Sequence, residues 1–429
     1  MPKTSSSRKQ TVSARQIKVL YVCPFAHYPG HFSWAATRET GALKQAGIDV
    51  RLLTFCGVID EGEVKVPQLT VLSRTGPGHI IGNSFDVIRK NAITRWLLMS
   101  FETFLTLAAA IRLKNKLAID VIHLRDGEPY LFLPHILCLP FKNCKWLVSL
   151  TASNIYPPAE VKTMELFIYT TAVRFINSRL WRPLYKLSLK RNHFLFVVQN
   201  DAAQVDYSNY MGGVFNGRVQ CLPVGVSATT EIISKEKARR YLGLPLDKPV
   251  LLAFGASHSG KDLVTVFHAL KDLPEIYFVS AGSQAFGLGV NLEEVAGNYT
   301  DTDRISIRNY YVPENEKPYY FFAADAVILS YTRRFMSTSS LLWEACRFGT
   351  PVIASDNGQL KKLVETLQPG LLFSAQDPDS LKDAIIRFIN LKPGEIKVLK
   401  NNCRKFAKEF SMGKWAQRCL DIYDSLLIK

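Results

Sequence analysis

A lysine at the end of a glycine-containing loop is the first group in this sequence that could do chemistry. Lys261 closes the run GASHSGK, which begins at Gly255, follows the apolar segment KPVLLAFG and precedes the helical pattern DLVTVFHAL. Such a strand–loop–helix junction offers backbone N–H groups, a helix N-terminus and an ammonium group to a phosphate. Asp262 stands where a nucleotide-hydrolysing loop has a magnesium-binding Ser or Thr, and its charge would repel a triphosphate. We therefore expect Gly255 and Lys261 to face a diphosphate; a plain turn with a surface lysine is the structural alternative.

A run of hydroxyl side chains followed by a carboxylate forms the second candidate group. Ser337, Thr338, Ser339 and Ser340 precede the helical pattern LLWEACRF, in which Glu344 is the acid. At helical spacing, Ser337, Ser340 and Glu344 share one face. Hydroxyls at a helix start can simply cap the helix. However, a carboxylate one turn behind them also suits a ligand with a phosphate in front and ribose hydroxyls behind, so we predict a nucleotide-binding turn here.

Three histidines lie where a substrate could reach them. His27 and His31 flank Gly30 in the loop after the first apolar strand, IKVLYVCPF, and His123 ends the strand DVIHL. Loops beyond the carboxyl ends of parallel strands are where α/β proteins bind ligands. A single histidine at a strand end is also often a packed core residue, so both roles stay open for His123.

Nothing in the sequence points to a metal. The eight cysteines are scattered without a CxxC pair or a Cys/His cluster, which indicates free thiols in a reducing, cytoplasmic setting. The run Asp301-Thr302-Asp303 is a DxD, but it lies in a polar loop rather than after an apolar strand. We interpret it as a solvated turn, and we expect neither a catalytic metal nor another cofactor.

The net charge of +16 is concentrated in the first half. Up to Gly225 there are 27 Lys and Arg against 14 Asp and Glu; after it there are 26 against 23. This excess predicts an anionic partner for the first half. The stretch 174–191, where six cations alternate with apolar residues, is the candidate for contact with an anionic membrane surface, with a solvated helix face as the alternative. Nucleic acid is not expected, because no recognition module accompanies the charge.

Two successive α/β domains must position these residues. Apolar strand-like runs alternate with helical patterns, and the pattern restarts after the turn at 222–225. The alternation predicts two tandem Rossmann-like, doubly wound parallel sheets with a cleft between them. We predict four parts: a basic tail over 1–16, an N-terminal domain over 17–227, a C-terminal domain over 228–405, and a C-terminal helix over 406–429 that returns to the first domain.

One stretch of the second half resembles the donor-binding signature of family 4 glycosyltransferases, enzymes of the twin-Rossmann (GT-B) fold. It reads SSLLWEACRFGTPVIASDNGQLKKLVE and continues with PGLLFSAQDPDSLKDAI. The resemblance extends in order through IKVLYVCPFAHYPGHFS, DVIHLRD, RVQCLPVGV and FGASHSGKDL. It implies that Glu344 binds the donor ribose and Lys261 the diphosphate. It also implies that Gly30 approaches the donor phosphates or the acceptor, and that His123 lies near the transferred sugar. Lys261 and His123 are therefore the expected catalytic residues.

The sequence departs from the family pattern at three positions. The first glutamate of the family's pair, eight residues before Glu344, is Met336 here. Ala256 replaces an arginine that commonly follows the strand glycine, and Val224 replaces an asparagine that often precedes the glycine at the domain junction. Some branches of the family have a hydroxyl-rich turn instead of the first glutamate, which Ser339-Ser340 resembles. These departures affect the expected contact with the donor sugar, and therefore which sugar is transferred.

The resemblance implies transfer of a sugar, with retention of configuration, from a UDP- or GDP-sugar to an acceptor hydroxyl, in polysaccharide, lipid-linked oligosaccharide or glycolipid synthesis. No carboxylate pair can be assigned as nucleophile and acid/base. This fits the front-face mechanism proposed for such enzymes, in which the donor phosphate helps to remove the acceptor proton. The family's first domain binds the acceptor, so its charge predicts a phosphate-bearing or lipid-linked acceptor and a cytoplasmic location, with peripheral contact to the membrane. A non-catalytic subunit of this fold, an epimerase and a P-loop NTPase are the alternatives.

Overall fold

A computed structural model describes most of the chain. The described residues are 16–26, 31–55, 70–71, 92–125, 145–150, 179, 182–191, 193–211, 217–229, 231–257, 260–283, 291–299, 302–336 and 338–428. They form two parallel sheets, each covered by helices.

The first domain contains a sheet of seven parallel strands in the order β3-β2-β1-β4-β5-β6-β7. The strands are β1 (Lys18–Val22), β2 (Asp49–Thr54), β3 (Thr70–Val71), β4 (Val121–Leu124), β5 (Lys145–Leu150), β6 (Phe194–Val198) and β7 (Val219–Cys221). The helices within the described residues of this domain are α1 (His31–Gln45), α2 (Ala92–Leu117), α3 (Arg182–Leu189) and α4 (Asp201–Met211). Every residue of β4 and β6 is buried, as expected for strands covered on both faces.

The second domain contains a sheet of six parallel strands in the order β10-β9-β8-β11-β12-β13. The strands are β8 (Val250–Phe254), β9 (Tyr277–Ala281), β10 (Ile305–Arg308), β11 (Ala326–Leu329), β12 (Val352–Ser355) and β13 (Gly370–Phe373). The helices are α5 (Lys235–Leu242), α6 (Leu263–Leu270), α7 (Leu292–Gly297), α8 (Lys317–Ala323), α9 (Ser340–Phe348), α10 (Gly358–Leu367), α11 (Pro378–Ile389) and α12 (Pro393–Glu409).

The strand order reverses at the first strand of each sheet. In the first sheet β1 lies between β2 and β4, and in the second β8 lies between β9 and β11. The connections leave in opposite directions at such a point, so a crevice opens beyond the carboxyl ends of the two strands. The two tandem, doubly wound parallel sheets confirm the predicted fold class, and the loops after β8 and β11 meet at the crevice of the second domain.

A last helix, α13 (Met412–Ile428), packs on the first sheet. Its buried side chains are Trp415, Ala416, Cys419, Ile422, Tyr423 and Leu426. The returning segment was predicted to begin at 406, but 406–409 still belong to α12, and Phe406 lies in the core of the second domain. The chain crosses back only at Ser411, where its backbone pairs with that of Val226.

The two crossings between the domains lie side by side. Val226 N–H donates to the carbonyl of Phe410 at 2.6 Å, and Met412 N–H donates to the carbonyl of Val226 at 3.0 Å. Gly225 packs tightly against the returning chain: a Cβ there would lie 2.1 Å from Met412 Sδ and 3.2 Å from Trp415 Cβ. A larger residue at this position would require Met412 to move and would press on Trp415, which makes Gly225 part of the joint between the domains.

Candidate active site in the cleft

The loops at the carboxyl ends of the two sheets touch each other across the cleft. Thr338 Oγ1, just before α9, donates to Gln199 Oε1 after β6 at 3.3 Å. Asn200 Nδ2, at the start of α4, donates to Gln359 Oε1 on α10 at 2.7 Å, and this bond is buried. The hydroxyl-rich turn predicted from the sequence therefore lies at the interface of the domains.

Lys261 is placed by backbone pairing between the loops after β8 and β11. Its backbone forms an antiparallel bridge with Tyr331, and Asp262 N–H donates to the carbonyl of Ser330 at 3.0 Å. The ammonium Nζ donates to the carbonyls of Phe254 at 2.5 Å and Gly255 at 2.9 Å. Burial lowers the pKa of Lys261 to about 7. The lysine thus sits in the crevice predicted for it, as a cation that any added negative charge would stabilise.

Gly255 lies between the lysine and the start of α9. It has φ +77°, a conformation that glycine adopts readily, and a Cβ there would lie 3.8 Å from Lys261 Nζ and 3.6 Å from Leu341 Cδ2. The backbone at Gly255 is packed closely from the other side, because a Cβ on Gly282 would lie 2.4 Å from its carbonyl oxygen. The structure therefore brings the predicted Gly255, Lys261 and the first turn of α9 together.

The N-terminus of α6 does not serve as the predicted phosphate site. Asp262 caps it: the carboxylate accepts from Thr265 N–H at 3.2 Å and from Thr265 Oγ1 at 2.5 Å. This acid supplies negative charge where the sequence analysis placed a phosphate. The same capping role explains why an acid follows Lys261 and argues against a nucleotide-hydrolysing loop.

The start of α9 is arranged differently. Ser339 precedes the helix with φ +56° and, within the described part of the chain, makes no capping bond with its side chain. Its Oγ is instead 2.6 Å from the hydroxyl of Tyr331, which stacks on Phe335. Ser340, the first helical residue, is exposed. The helix thus begins with backbone N–H groups that the Ser339 hydroxyl does not cap, in the direction of Gly255 and Lys261.

Glu344 lies one turn further along α9 in a cluster of charges. Its Oε2 is 3.3 Å from Arg347 Nη1 and 3.7 Å from Lys317 Nζ. Glu314 binds Lys317 as well, lies 2.6 Å from Arg38 Nη2 and is 4.0 Å from Arg347 Nη1. Burial alone would raise the pKa of Glu314, but Lys317, Arg38 and Arg347 together lower it below its usual value. Glu344 therefore lies in an ion-paired cluster, and its predicted contact with a ribose stays a prediction.

His123 does not reach the cleft. It is fully buried in β4, with Nδ1 2.7 Å from the hydroxyl of Tyr423 on α13 and Nε2 3.0 Å from Ser149 Oγ on β5. Burial, helped by the charge of Arg125, lowers the pKa of His123 to about 3. A neutral ring with both nitrogens bonded inside the core has no atom left for a sugar, which corrects the catalytic role expected for this residue.

Five other sequence predictions cannot be placed fully. His27, Gly30 and Ser337 lie outside the described residues, and His31 is described only as the first backbone position of α1. The basic stretch 174–191 is described only from 179 and with gaps; Arg182–Leu189 form α3, where Arg182 lies over the ring of Tyr210. None of the helices in the described ranges is long and apolar enough to cross a membrane.

The structure adds residues that the sequence analysis missed. Tyr331 holds the hydroxyl turn, and its place directly after an apolar strand was a usable signal. Arg38 and Glu314 join the domains across 276 residues of sequence, and Gln199 contacts Thr338 across 139. No local sequence pattern identifies such pairs, because each member lies in a helix or loop without a recognisable motif.

Comparison with known proteins agrees with this architecture. The family model described as glycosyl transferases group 1 matches residues 234–410, nearly all of the second domain. A D-inositol 3-phosphate glycosyltransferase of Mycolicibacterium paratuberculosis is 32% identical over 155 residues, which are 35% of this chain and 34% of that protein. Its namesake from Xylanimonas cellulosilytica is 26% identical over 216 residues, 48% of this chain and 51% of that one. The chain thus matches between a third and a half of these relatives' length.

Solved structures resemble the chain over nearly its full length. Sucrose-phosphate synthase from Thermosynechococcus elongatus has a TM-score of 0.69 at 18% identity, covering 96% of this chain and 100% of that one. Anabaena HepE in complex with UDP-glucose has a TM-score of 0.65 at 15% identity, with the same coverage. At this sequence identity, the likeness to the solved structures shows the fold alone. The match to the family model concerns the second domain. The chain therefore has the fold of these structures, and its second domain matches the group 1 glycosyl transferases over residues 234–410.

Proposed function

We propose that this chain transfers a sugar from a nucleotide-diphosphate sugar to an acceptor hydroxyl, with retention of configuration. The observation that carries the proposal is the grouping of Lys261 Nζ, Gly255 and the first turn of α9 at the crevice of the second domain. A UDP-sugar is the first candidate donor, because the HepE structures hold UDP and UDP-glucose at comparable TM-scores. A GDP-sugar is the second.

The proposed chemistry depends on stabilising the leaving diphosphate. As the bond between the sugar and the diphosphate breaks, negative charge grows on the departing phosphate oxygens. Lys261 and the backbone N–H groups at the start of α9 would face that charge, and fixed groups of this kind are worth most in a site shielded from water. The departing phosphate would take the proton of the acceptor hydroxyl, on the face where the new bond forms. In this proposal no protein carboxylate attacks the sugar, and no metal ion is required.

The proposed acceptor carries a phosphate or is linked to a lipid. The first domain carries most of the net positive charge, so it would attract an anionic acceptor to the cleft. The curated relatives act, by name, on D-inositol 3-phosphate, a phosphorylated polyol. An acceptor in polysaccharide or glycolipid synthesis, met at the cytoplasmic face of a membrane through the stretch 174–191, is consistent with the same charge.

A non-catalytic subunit that binds a nucleotide-sugar is the second candidate. Two observations favour it: Met336 replaces the first glutamate of the family's pair, and Glu344 is already ion-paired with Lys317 and Arg347. Such a subunit would bind the donor without cleaving it. Binding and turnover must therefore be measured separately.

The first experiment is thermal unfolding with UDP, GDP, ADP and dTDP and their glucose or mannose conjugates, each with Mg²⁺ and with EDTA. A ligand at about 100 times its Kd adds about 2.7 kcal/mol of stability, which a melting curve detects. Stabilisation by one nucleotide in EDTA supports the metal-independent site. Release of labelled sugar from that donor, and the anomeric configuration of the product by NMR, then separate the transferase from the subunit. Absence of stabilisation by every ligand would contradict both.

A further inference from the structure

An arginine of the first domain reaches a carboxylate of the second. Arg38, on α1, places Nη2 2.6 Å from Glu314 Oε2 and donates from Nη1 to Ser227 Oγ at 2.9 Å. The two charged side chains are only 16% and 14% exposed. An ion pair so poorly exposed is weakly screened, and removing one partner leaves a charge that water cannot fully solvate.

Glu314 and Glu344 share the same two cations. Lys317 Nζ pairs with Glu314 and lies 3.7 Å from Glu344, while Arg347 Nη1 lies 4.0 Å from Glu314 and 3.3 Å from Glu344. With Arg38 added, three cations balance two carboxylates. At one end of this set, Arg38 and Glu314 join the two domains. At the other end lies Glu344, the carboxylate proposed to bind the donor ribose.

Loss of Arg38 would redistribute the shared cations. Without that guanidinium, the cations left beside Glu314 among the described residues would be Lys317 and Arg347, and both would be drawn towards it. Glu344 would then lose part of the ion pairing that fixes its carboxylate. Groups in one ion-paired network typically respond to each other in this way, so single changes in it are not additive.

We infer that Arg38 is a positioning residue: through Glu314, Lys317 and Arg347 it couples the seating of α1 against the second domain to the orientation of the Glu344 carboxylate. The inference rests on the proposed function, since it assigns the donor ribose to Glu344. It gives α1, whose first residue is His31 in the glycine loop, a physical connection to the nucleotide site.

The test is a double-mutant cycle on UDP affinity, measured by calorimetry on the full chain. The four proteins are wild type, Arg38→Ala, Glu344→Ala and the double variant. Arg38→Ala should weaken UDP binding about fivefold in the wild-type background and less than about twofold in the Glu344→Ala background. Arg38→Lys keeps a cation and should restore most of the affinity. Lys44→Ala, an exposed cation on the same helix, is the matched control and should change nothing.

Glu314→Gln provides an independent route if Arg38→Ala does not fold. It removes the same ion pair from the other side, so it should weaken UDP binding to a similar extent and lose that effect in the Glu344→Ala background. Equal UDP affinity in wild type and Arg38→Ala would overturn the inference, as would an equal loss in both backgrounds. Failure of the proposed donor site gives a different result, because wild type itself would then bind none of the nucleotides, and the inference would fall with it. If wild type binds a nucleotide without turnover, only the proposed transfer fails, and the cycle still tests the inference.

Discussion

The lowered pKa of Lys261 makes donor binding depend on pH in a way that can be worked out in advance. Burial lowers this pKa from the usual 10.5 to about 7, so about half of the molecules carry the ammonium at neutral pH. A bound diphosphate favours the charged form and raises the pKa again. The donor should therefore bind best below pH 7, and its apparent Kd should rise up to about tenfold per pH unit above that.

The strength of the contact between Lys261 and the diphosphate limits how much affinity can be lost as the pH rises. A hydrogen bond to a charged group contributes about 1.5–3 kcal/mol, so the total loss in affinity should level off at about 10- to 150-fold. Since about one tenth of the free protein is protonated at pH 8, binding at that pH should also take up about 0.4 to 0.85 of a proton, the larger uptake going with the larger loss in affinity. Without a ligand, the free energy of unfolding has the opposite pH dependence. Between pH 7 and 10.5, Lys261 binds fewer protons in the folded state than in the unfolded state, so stability rises with pH in that window.

The assay is calorimetry with UDP-glucose, or whichever nucleotide-sugar binds, from pH 6 to 9 in two buffers of different ionisation enthalpy. The sugar conjugate is preferred to UDP because a terminal phosphate titrates near pH 6. Lys261→Met should remove both the pH dependence and the proton uptake. Lys400→Met, which changes a second lysine of lowered pKa on α12, should retain them. A Kd that is flat from pH 6 to 9 in wild type, or a slope that survives in Lys261→Met, would refute the reasoning.

Three further outcomes are expected from the described geometry. Tyr331→Phe removes the bond to Ser339 and should lower the unfolding free energy by about 1 kcal/mol in denaturant titrations while weakening UDP binding. Gly358→Ala should lower the unfolding free energy by about 1–3 kcal/mol, because the residue has φ +55° and a Cβ would lie 2.6 Å from a backbone carbon of Met336. Gly394→Ala is the control, since a Cβ there meets open space, and it should raise the unfolding free energy by about 0.4–1 kcal/mol. His123 should show no titration by NMR between pH 5 and 8, and stability should fall as the pH drops from 6.5 towards 3, less steeply in His123→Asn.

The sequence was sufficient to predict the sheets and the loops that carry the site. Buried parallel strands are short apolar runs, and the loops after them meet at a known edge, so Gly255 and Lys261 could be placed without coordinates. The position of His123 could not. Its strand is visible in the sequence, but Tyr423, which occupies one of its ring nitrogens, lies 300 residues later on a helix whose contact face depends on the whole fold.

Asp262 was interpreted only in part, although its second role depends on local contacts. A carboxylate after the lysine correctly argued against a triphosphate, but its bonds to Thr265 N–H and Oγ1 show a further effect: it occupies the helix start that a phosphate would need. An N-cap is a local feature, so the Asp-x-x-Thr spacing could have revealed it. The strained start of α9 could not be found in this way, because a serine at φ +56° has no sequence signature.

The two helix starts in the crevice now have different electrostatic roles. The start of α6 is neutralised by its own acid, whereas at α9 the Ser339 hydroxyl is bonded to Tyr331 and does not cap the first turn, which lies beside Gly255 and Lys261. An anion entering the crevice would therefore meet repulsion on one side, and Lys261 with the positive end of the α9 dipole on the other. That asymmetry favours the proposed placement of the diphosphate at α9, and this part of the proposal does not depend on residue 336, where a methionine replaces the family's first glutamate.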